Sequence, residues 1–170
     1  MSVTRPGHLY PLFALLLPAC DFGGVATPQD PQNLCGPSSA IVASVIDGDT
    51  IVLDSGQKVR YLMVDTPEIT QGKHDCYGEE ARKYNEDLVL GQEVTLTYDE
   101  QCKDSYDRLL AYVEAPDGEM NTLMIDRGFA CYLYIPPDGE TRAAEFESLE
   151  LGAKQAKRGM WGLCPAVTCD

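Results

Sequence analysis

A mainly β, α+β fold is what the sequence predicts: a five-stranded barrel with about three helices packed on it. Three observations point there. Three short strand patterns follow one another between residues 41 and 64, joined by tight-turn signals. One helical pattern then separates them from two further strand patterns, and two more helical patterns follow. That order suits a small barrel, although periodicity alone leaves other small α+β folds open.

The elements come in turn. Ile41-Val42-Ala43-Ser44-Val45-Ile46 reads as the first strand, and Asp47-Gly48 after it is a tight-hairpin signal. Residues 49–53 form the return strand, with Ile51 and Leu53 on one face and Val52 on the other. Asp54-Ser55-Gly56 turns the chain into a third strand at 58–64. A helix follows at 79–90, with Ala81, Tyr84, Leu88 and Val89 as its apolar stripe and Gly91 as its stop. Residues 94–98 and 109–113 supply the fourth and fifth strands. A short helix spans 120–127 and closes on Gly128. A longer one takes 141–157, with Phe146, Leu149, Ala153 and Ala156 at near-helical spacing.

Residues 1–19 read as an export signal. Arg5 and the amino terminus carry positive charge, 9–17 is mostly apolar, and Leu17-Pro18-Ala19-Cys20 ends the run. A small residue and then Cys after a Leu-rich stretch resembles a bacterial lipobox, so Cys20 is the expected lipidation site. The chain is then expected in the cell envelope, lipid-anchored to a membrane, with plain secretion as the alternative. Residues 20–39, rich in Pro, Gly, Asn and Gln, read as the lipidated Cys and a tether. The folded domain is expected over 40–164, and 165–170 as a tail.

Setting Cys20 aside, six of the seven Cys remain, an even number that suits up to three disulfides in an oxidising compartment. The pairing preferred from the sequence is Cys76–Cys102, with Cys35 closed near the C-terminal Cys. No Cys-x-x-Cys or paired His accompanies them, which argues against zinc. The formal charge of −14, from 13 Lys and Arg against 27 Asp and Glu, is poor for sequence-independent nucleic-acid binding. Only a locally positive cleft reconciles the two.

Several residues suit phosphoryl chemistry. Asp49 follows a turn and Asp65 ends a strand, where two rims could meet. Two carboxylates with a backbone carbonyl make a sparse oxygen site for calcium, or else both are turn formers. Glu68, beyond the rigid Thr66-Pro67 turn, suits an acid near activated water or a solvent-facing loop. Arg60 shares strand parity with Leu62 and Val64, and a cation there needs an anion or a site. Tyr132-Leu133-Tyr134 alternates as a strand does, leaving base stacking and core packing both open. Lys73 and His74 could add local positive charge before Tyr77 or be merely solvated.

Three blocks carry a family resemblance. Val45-Ile46-Asp47-Gly48-Asp49-Thr50, then Arg60-Tyr61-Leu62-Met63-Val64-Asp65-Thr66-Pro67-Glu68, then Asp104-Ser105-Tyr106-Asp107-Arg108-Leu109-Leu110-Ala111-Tyr112 resemble the thermonuclease (staphylococcal nuclease-like) signature in order and spacing. Tyr77-Gly78-Glu79-Glu80-Ala81 and residues 121–128 are similar too, so the likeness covers roughly 41–161. One departure is Asp107, where the family commonly has Gly.

The resemblance implies an OB-fold and a calcium-dependent endonuclease acting on DNA and RNA and leaving 3′-phosphates. It implies Asp49, Asp65 and the Thr66 carbonyl as calcium ligands. Glu68 would activate water, and Arg60 and Arg108 would bind the scissile phosphate. Tyr106, Tyr132, Tyr134 and Lys73 are the expected substrate contacts. No obligate protein partner is implied. The rival classes are a catalytically silent OB-fold nucleic-acid-binding module and a structural envelope lipoprotein. The intact Arg60, Glu68 and Arg108 set argues against the binder, which needs no water-activating acid.

Overall fold

The structure is a computed structural model that describes residues 1–2 and 35–167. The expected signal, Cys20 and most of the tether therefore lie outside the described residues. The barrel is formed by β1 (Ser39–Val45), β2 (Thr50–Leu53), β3 (Lys58–Tyr61), β5 (Glu93–Thr97) and β6 (Leu109–Ala115). Neighbours run antiparallel from β3 through β2, β1 and β5 to β6, and a parallel β3–β6 pairing, Arg60 opposite Leu110, closes the circle. One strand must serve two partners for such a small barrel to close. β1 does so, through a register shift between Val42 and Ser44 that bends it from β2 towards β5. Alternation along the strands sends Val42, Ile51, Leu53, Val59, Tyr61, Val94 and Leu96 inward. This is the five-stranded OB-fold with helices that the sequence predicts.

Outside the barrel lie α1 (Gly78–Val89), α2 (Met120–Asp126), α3 (Ala143–Gln155) and a one-turn α4 (Met160–Leu163). Helix α1 buries Ala81, Asn85 and Val89, one residue per turn, while Tyr84 and Leu88 of the expected stripe are only half-buried. Asn85 is polar yet satisfied, accepting from the Tyr61 hydroxyl at 2.8 Å and donating to the Asp47 carbonyl at 3.1 Å. It ties α1 to the turn that carries the site. Helix α2 follows the short β7 (Gly118–Glu119) and buries Met120, Met124 and Ile125. Asn121 joins it to the barrel by bonding Val113 N–H and the Leu62 carbonyl.

The structure corrects several expectations. Strand three stops at Tyr61, because Met63 takes φ 66° and turns the chain before the short β4 (Val64–Asp65). β4 pairs instead with β8 (Cys131–Tyr132). The expected helix 141–157 begins as a 3-10 turn, Glu140–Arg142, and α4 is additional. Residues placed in the tether are held to the barrel: Pro37 accepts from the Tyr98 hydroxyl at 2.8 Å and Ser38 from Leu96 N–H at 2.8 Å.

The disulfide preference is overturned as well. Cys35 pairs with Cys102 and Cys76 with Cys164; Cys131 is also disulfide-bonded. Proximity in the fold, which no Cys spacing encodes, decides the partners. The two described bridges span 67 and 88 residues, so each stabilises by about 4–5 kcal/mol in the chain-entropy picture.

Candidate active site

The β1–β2 connection, residues 46–49, is longer than a two-residue hairpin. Gly48 is required there by close approach and not by a positive φ. A Cβ at that position would lie 2.6 Å from Thr66 Cγ2 and 2.9 Å from Ala81 Cβ. This contact draws the next residue, Asp49, against the end of β4. Asp49 is buried and its oxygens are occupied. Oδ2 accepts from Thr66 N–H at 3.0 Å and the Thr66 hydroxyl at 2.8 Å, and Oδ1 accepts from the Thr50 hydroxyl at 3.0 Å.

Arg60 completes the cluster. Its Nε lies 3.1 Å from Asp49 Oδ1 and a terminal nitrogen lies 3.4 Å from Asp65 Oδ1. The other terminal nitrogen donates to the Tyr61 carbonyl at 2.9 Å and to the Val64 carbonyl. Three of its five N–H groups thus donate hydrogen bonds, and Nε is ion-paired with Asp49. The expected anion partner of Arg60 is present as Asp49 and Asp65, although strand three stops before Leu62 and Val64 can share its parity. Arg60 lies on the face of β3 opposite Val59 and Tyr61 and is half-buried because the chain turns back at 62–63 and presents carbonyls to it. Asp47 adds a third carboxyl, its Oδ1 accepting from Asp49 N–H at 3.1 Å. Burial, and then the charge of Asp49, push the Asp47 carboxyl up to about 7.

Does this set suit a hard divalent cation? Asp49 and Asp65 converge on one guanidinium, and Asp47 is crowded by Asp49, so negative charge is in excess here. All the side-chain donors are carboxylate oxygens, the chemistry calcium takes. Among the described residues no group of three or more His, Cys, Asp or Glu stands arranged to hold a metal. The set fits calcium only as a sparse site completed by carbonyl and water.

Glu68 follows on the next loop. Its Oε2 accepts from the Thr70 hydroxyl at 2.8 Å, and its backbone N–H donates to Asp75 Oδ2 at 3.2 Å. Arg108 approaches from β6. Asp104 holds it through Nε at 2.7 Å and through its backbone N–H at 3.0 Å, while the guanidinium lies 5.5 Å from the Tyr106 ring centre. Burial alone would raise the Asp104 carboxyl, but hydrogen bonds from Arg108 and Tyr106 bring it below its ordinary value. The terminal nitrogens of Arg108 make no hydrogen bond among the described residues, so its fork is available. Asp107, the departure from the family pattern, takes φ 63° and pairs with Lys103 at 2.7 Å, away from Arg108. Its left-handed backbone is the physical reason glycine suits that position.

Arg60, Arg108 and Tyr106 line one cleft of about 370 Å³, with Asp104, Leu133 and Ile135 among the other walls. Asp49 and Asp65 border it through Arg60. Tyr132 and Tyr134 do not line it. Tyr132 is half-buried with its ring 6.5 Å from Phe146, and Tyr134 is exposed. The alternation is real, but it sends Leu133 into the cleft. Lys73 sits on the exposed loop between Thr70 and Asp75, its N–H on the Thr70 carbonyl at 3.0 Å. Neither it, Thr66, Glu68, Asp49 nor Asp65 is among the residues lining the cleft. Sequence reasoning missed the supporting acids and hydroxyl: Asp104, Asp75, Asp47 and Thr70. The Asp104 side chain accepting from Tyr106 N–H at 2.9 Å is an Asx-type turn, a signal legible in Asp-Ser-Tyr.

Comparison with known proteins identifies the family of the chain. The family described as Staphylococcal nuclease homologue matches residues 58–162. Endonuclease YncB of Bacillus subtilis (strain 168) is 38% identical over 130 residues, covering 72% of this chain and 61% of its own. A Thermonuclease of Staphylococcus intermedius is 34% identical over 128 residues, 72% of this chain and 76% of its own. An Uncharacterized endonuclease of Escherichia coli O157:H7 is 37% identical over 132 residues, 75% and 80%. The chain thus spans less than two thirds of YncB and about three quarters or more of the other two. The match runs through Arg60, Asp65, Glu68 and Arg108 and over more than half of the chain, so the protein belongs to the staphylococcal nuclease homologue family.

Proposed function

We propose that this protein is a calcium-dependent endonuclease that hydrolyses DNA and RNA phosphodiesters and leaves 3′-phosphates. The observation that carries the reading is the Asp49–Arg60–Asp65 cluster on the rim of a cleft that Arg108 also lines. The names of the similar proteins, endonuclease and thermonuclease, support the same reading.

The residues divide the work. Asp49, Asp65 and the Thr66 carbonyl are the groups that would hold calcium. When bound, calcium supplies positive charge that offsets the phosphate and lowers the pKa of a coordinated water. Arg108 presents its unused fork to the equatorial phosphate oxygens, which gain charge as the phosphorus is attacked. Arg60 draws the two acids together and turns to the phosphate an N–H that donates no hydrogen bond within the described residues. Glu68, held by Thr70, orients the attacking water and accepts its proton. Tyr106, 80% exposed at the cleft mouth, offers a face for a base. Both guanidiniums of the cleft are paired with carboxylates, so an anionic substrate would rely on the fork of Arg108 together with the charge that calcium would supply.

The purified oxidised protein, given single-stranded DNA and RNA, is expected to cleave both with calcium and neither with chelator. The new 3′ ends should resist polymerase extension until treated with phosphatase. Equal cleavage in chelator would remove calcium from the reading, and directly extendable ends would remove the 3′-phosphate.

We also propose export with a lipid anchor on Cys20, supported by the Leu-rich stretch that ends in Leu17-Pro18-Ala19-Cys20. Wild-type protein is expected in the membrane fraction and Cys20→Ser in the soluble one. Membrane association that survives Cys20→Ser would rule out this anchor.

A further inference from the structure

We propose that the Cys76–Cys164 disulfide is a covalent clamp that positions Glu68, so that the site is competent only after this bridge has formed. The proposal rests on the role given to Glu68 above. Both polar groups of the Glu68 backbone are held by one residue: Asp75 Oδ2 accepts its N–H at 3.2 Å, and its carbonyl accepts Asp75 N–H at 2.9 Å. Asp75 is the neighbour of Cys76. On the other side of Cys76, the Tyr77 ring stacks on Phe129 at 5.4 Å. Gly78 comes next and sits directly against the residues flanking Glu68. A Cβ there would lie 2.5 Å from Ile69 Cγ2 and 2.7 Å from the Pro67 carbonyl oxygen. There is no slack between residues 75–78 and 67–69, so a displacement of Cys76 is passed to Glu68.

The far end of the bridge is fixed. Cys164 follows α4, whose Met160 is fully buried and donates its N–H to the Gly128 carbonyl at 2.9 Å. Gly159 packs so closely on the end of α2 that a Cβ would lie 2.3 Å from Gly128 O. The bridge therefore fastens a loop whose residues 71–74 and Cys76 are all exposed to a one-turn helix anchored by the buried Met160. Without the bridge, the segment leading into Gly78 keeps the Glu68–Asp75 pair, Lys73 N–H on the Thr70 carbonyl at 3.0 Å and Gly78 N–H on the Asp75 carbonyl at 3.1 Å, bonds that open readily on a water-facing loop. Bridge formation passes two electrons and two protons from the Cys76 and Cys164 thiols to a disulfide-bearing oxidant, which leaves as a dithiol. A chain whose thiols are still reduced is then a folded but weakly active nuclease.

The test compares the full-length oxidised protein with a Cys76→Ser/Cys164→Ser variant, both folded by circular dichroism and kept well below their unfolding midpoints. Amide hydrogen exchange at Glu68 and Asp75 is expected to speed up at least tenfold in the variant by local opening, independent of denaturant, while the barrel amide of Leu96 reports only the loss of global stability. Unchanged protection at Glu68 and Asp75 overturns the clamp, whether or not the protein cleaves DNA. On DNA, kcat is expected to fall at least tenfold with little change in KM, and the same substitutions in a Glu68→Gln background should cost nothing more. Full kcat in the folded variant, or an equal loss in the Glu68→Gln background, overturns it. Should the double variant not fold, Asp75→Ala with the bridge intact is expected to show the same exchange and the same confinement to Glu68. A wild type without cleavage defeats the nuclease reading, and exchange then decides the clamp alone.

Discussion

Replacing Glu68 by Gln lowers kcat on single-stranded DNA by about 10²-fold or more, with KM and folding stability little changed. The amide keeps the size of the side chain and can still accept the Thr70 hydroxyl, now at 2.8 Å from Oε2. Asp75 holds the backbone at this position and is untouched by the change. Only the basic charge is removed, so the loss reports proton acceptance from water and not misfolding. Steady-state kinetics beside a thermal melt separate the two. A loss below about threefold, against the 10² that a single such group contributes, would remove Glu68 from the chemistry.

Arg60→Ala should cost both rate and stability. Asp49 and Asp65 are only 7% and 13% exposed in their side chains, and Arg60 is the cation between them. Taking one partner from such a buried cluster costs about 3–5 kcal/mol, because the remaining charges stay buried. Chelator should show the larger loss, since a bound cation relieves the same repulsion and stabilises by mass action. Arg60→Lys should recover part of the stability but little of the rate. A single ammonium cannot span both carboxylates and the Tyr61 and Val64 carbonyls as the guanidinium does. Urea unfolding with and without calcium, paired with kinetics, checks both. An Arg60→Ala protein as stable as the wild type in chelator would contradict the cluster's assumed burden of charge.

The barrel was legible because its strands are short apolar runs that alternate and are broken by Asp, Ser and Gly. Strand order along the chain was therefore readable, and so were the helices on either side of β5 and β6. The parallel β3–β6 closure is a tertiary fact that no local pattern announces. Met63 shows a different limit. Its positive φ ends β3 inside an unbroken apolar run, so the turn that brings Asp65 back to Arg60 left no turn residue to read. Asp107 was legible only as an oddity until its own positive φ explained it. Asp49, Arg60, Asp65, Glu68 and Arg108 can be named as candidates from sequence because the three blocks keep their spacing. The residues that hold them, Asp75 and Thr70 on Glu68 and Asp104 on Arg108, are ordinary polar loop residues in sequence. Disulfide partners depend on which chain ends the fold brings together, and there the sequence preference failed.

The most direct test of the proposed centre is hydrolysis of single-stranded DNA by the oxidised, calcium-saturated protein beside Arg108→Ala. Arg108 is suited to this because it lines the cleft and, among the described residues, its side chain is held by Asp104 and the Tyr106 ring alone, so truncation should leave the fold and the carboxylate cluster intact. Cleavage by the wild type that falls about 10²-fold in the variant, with calcium binding unchanged, is the expected result. No cleavage by a folded, calcium-saturated wild type would contradict it, and the barrel would then stand as a binding module that has kept the centre's residues without its chemistry.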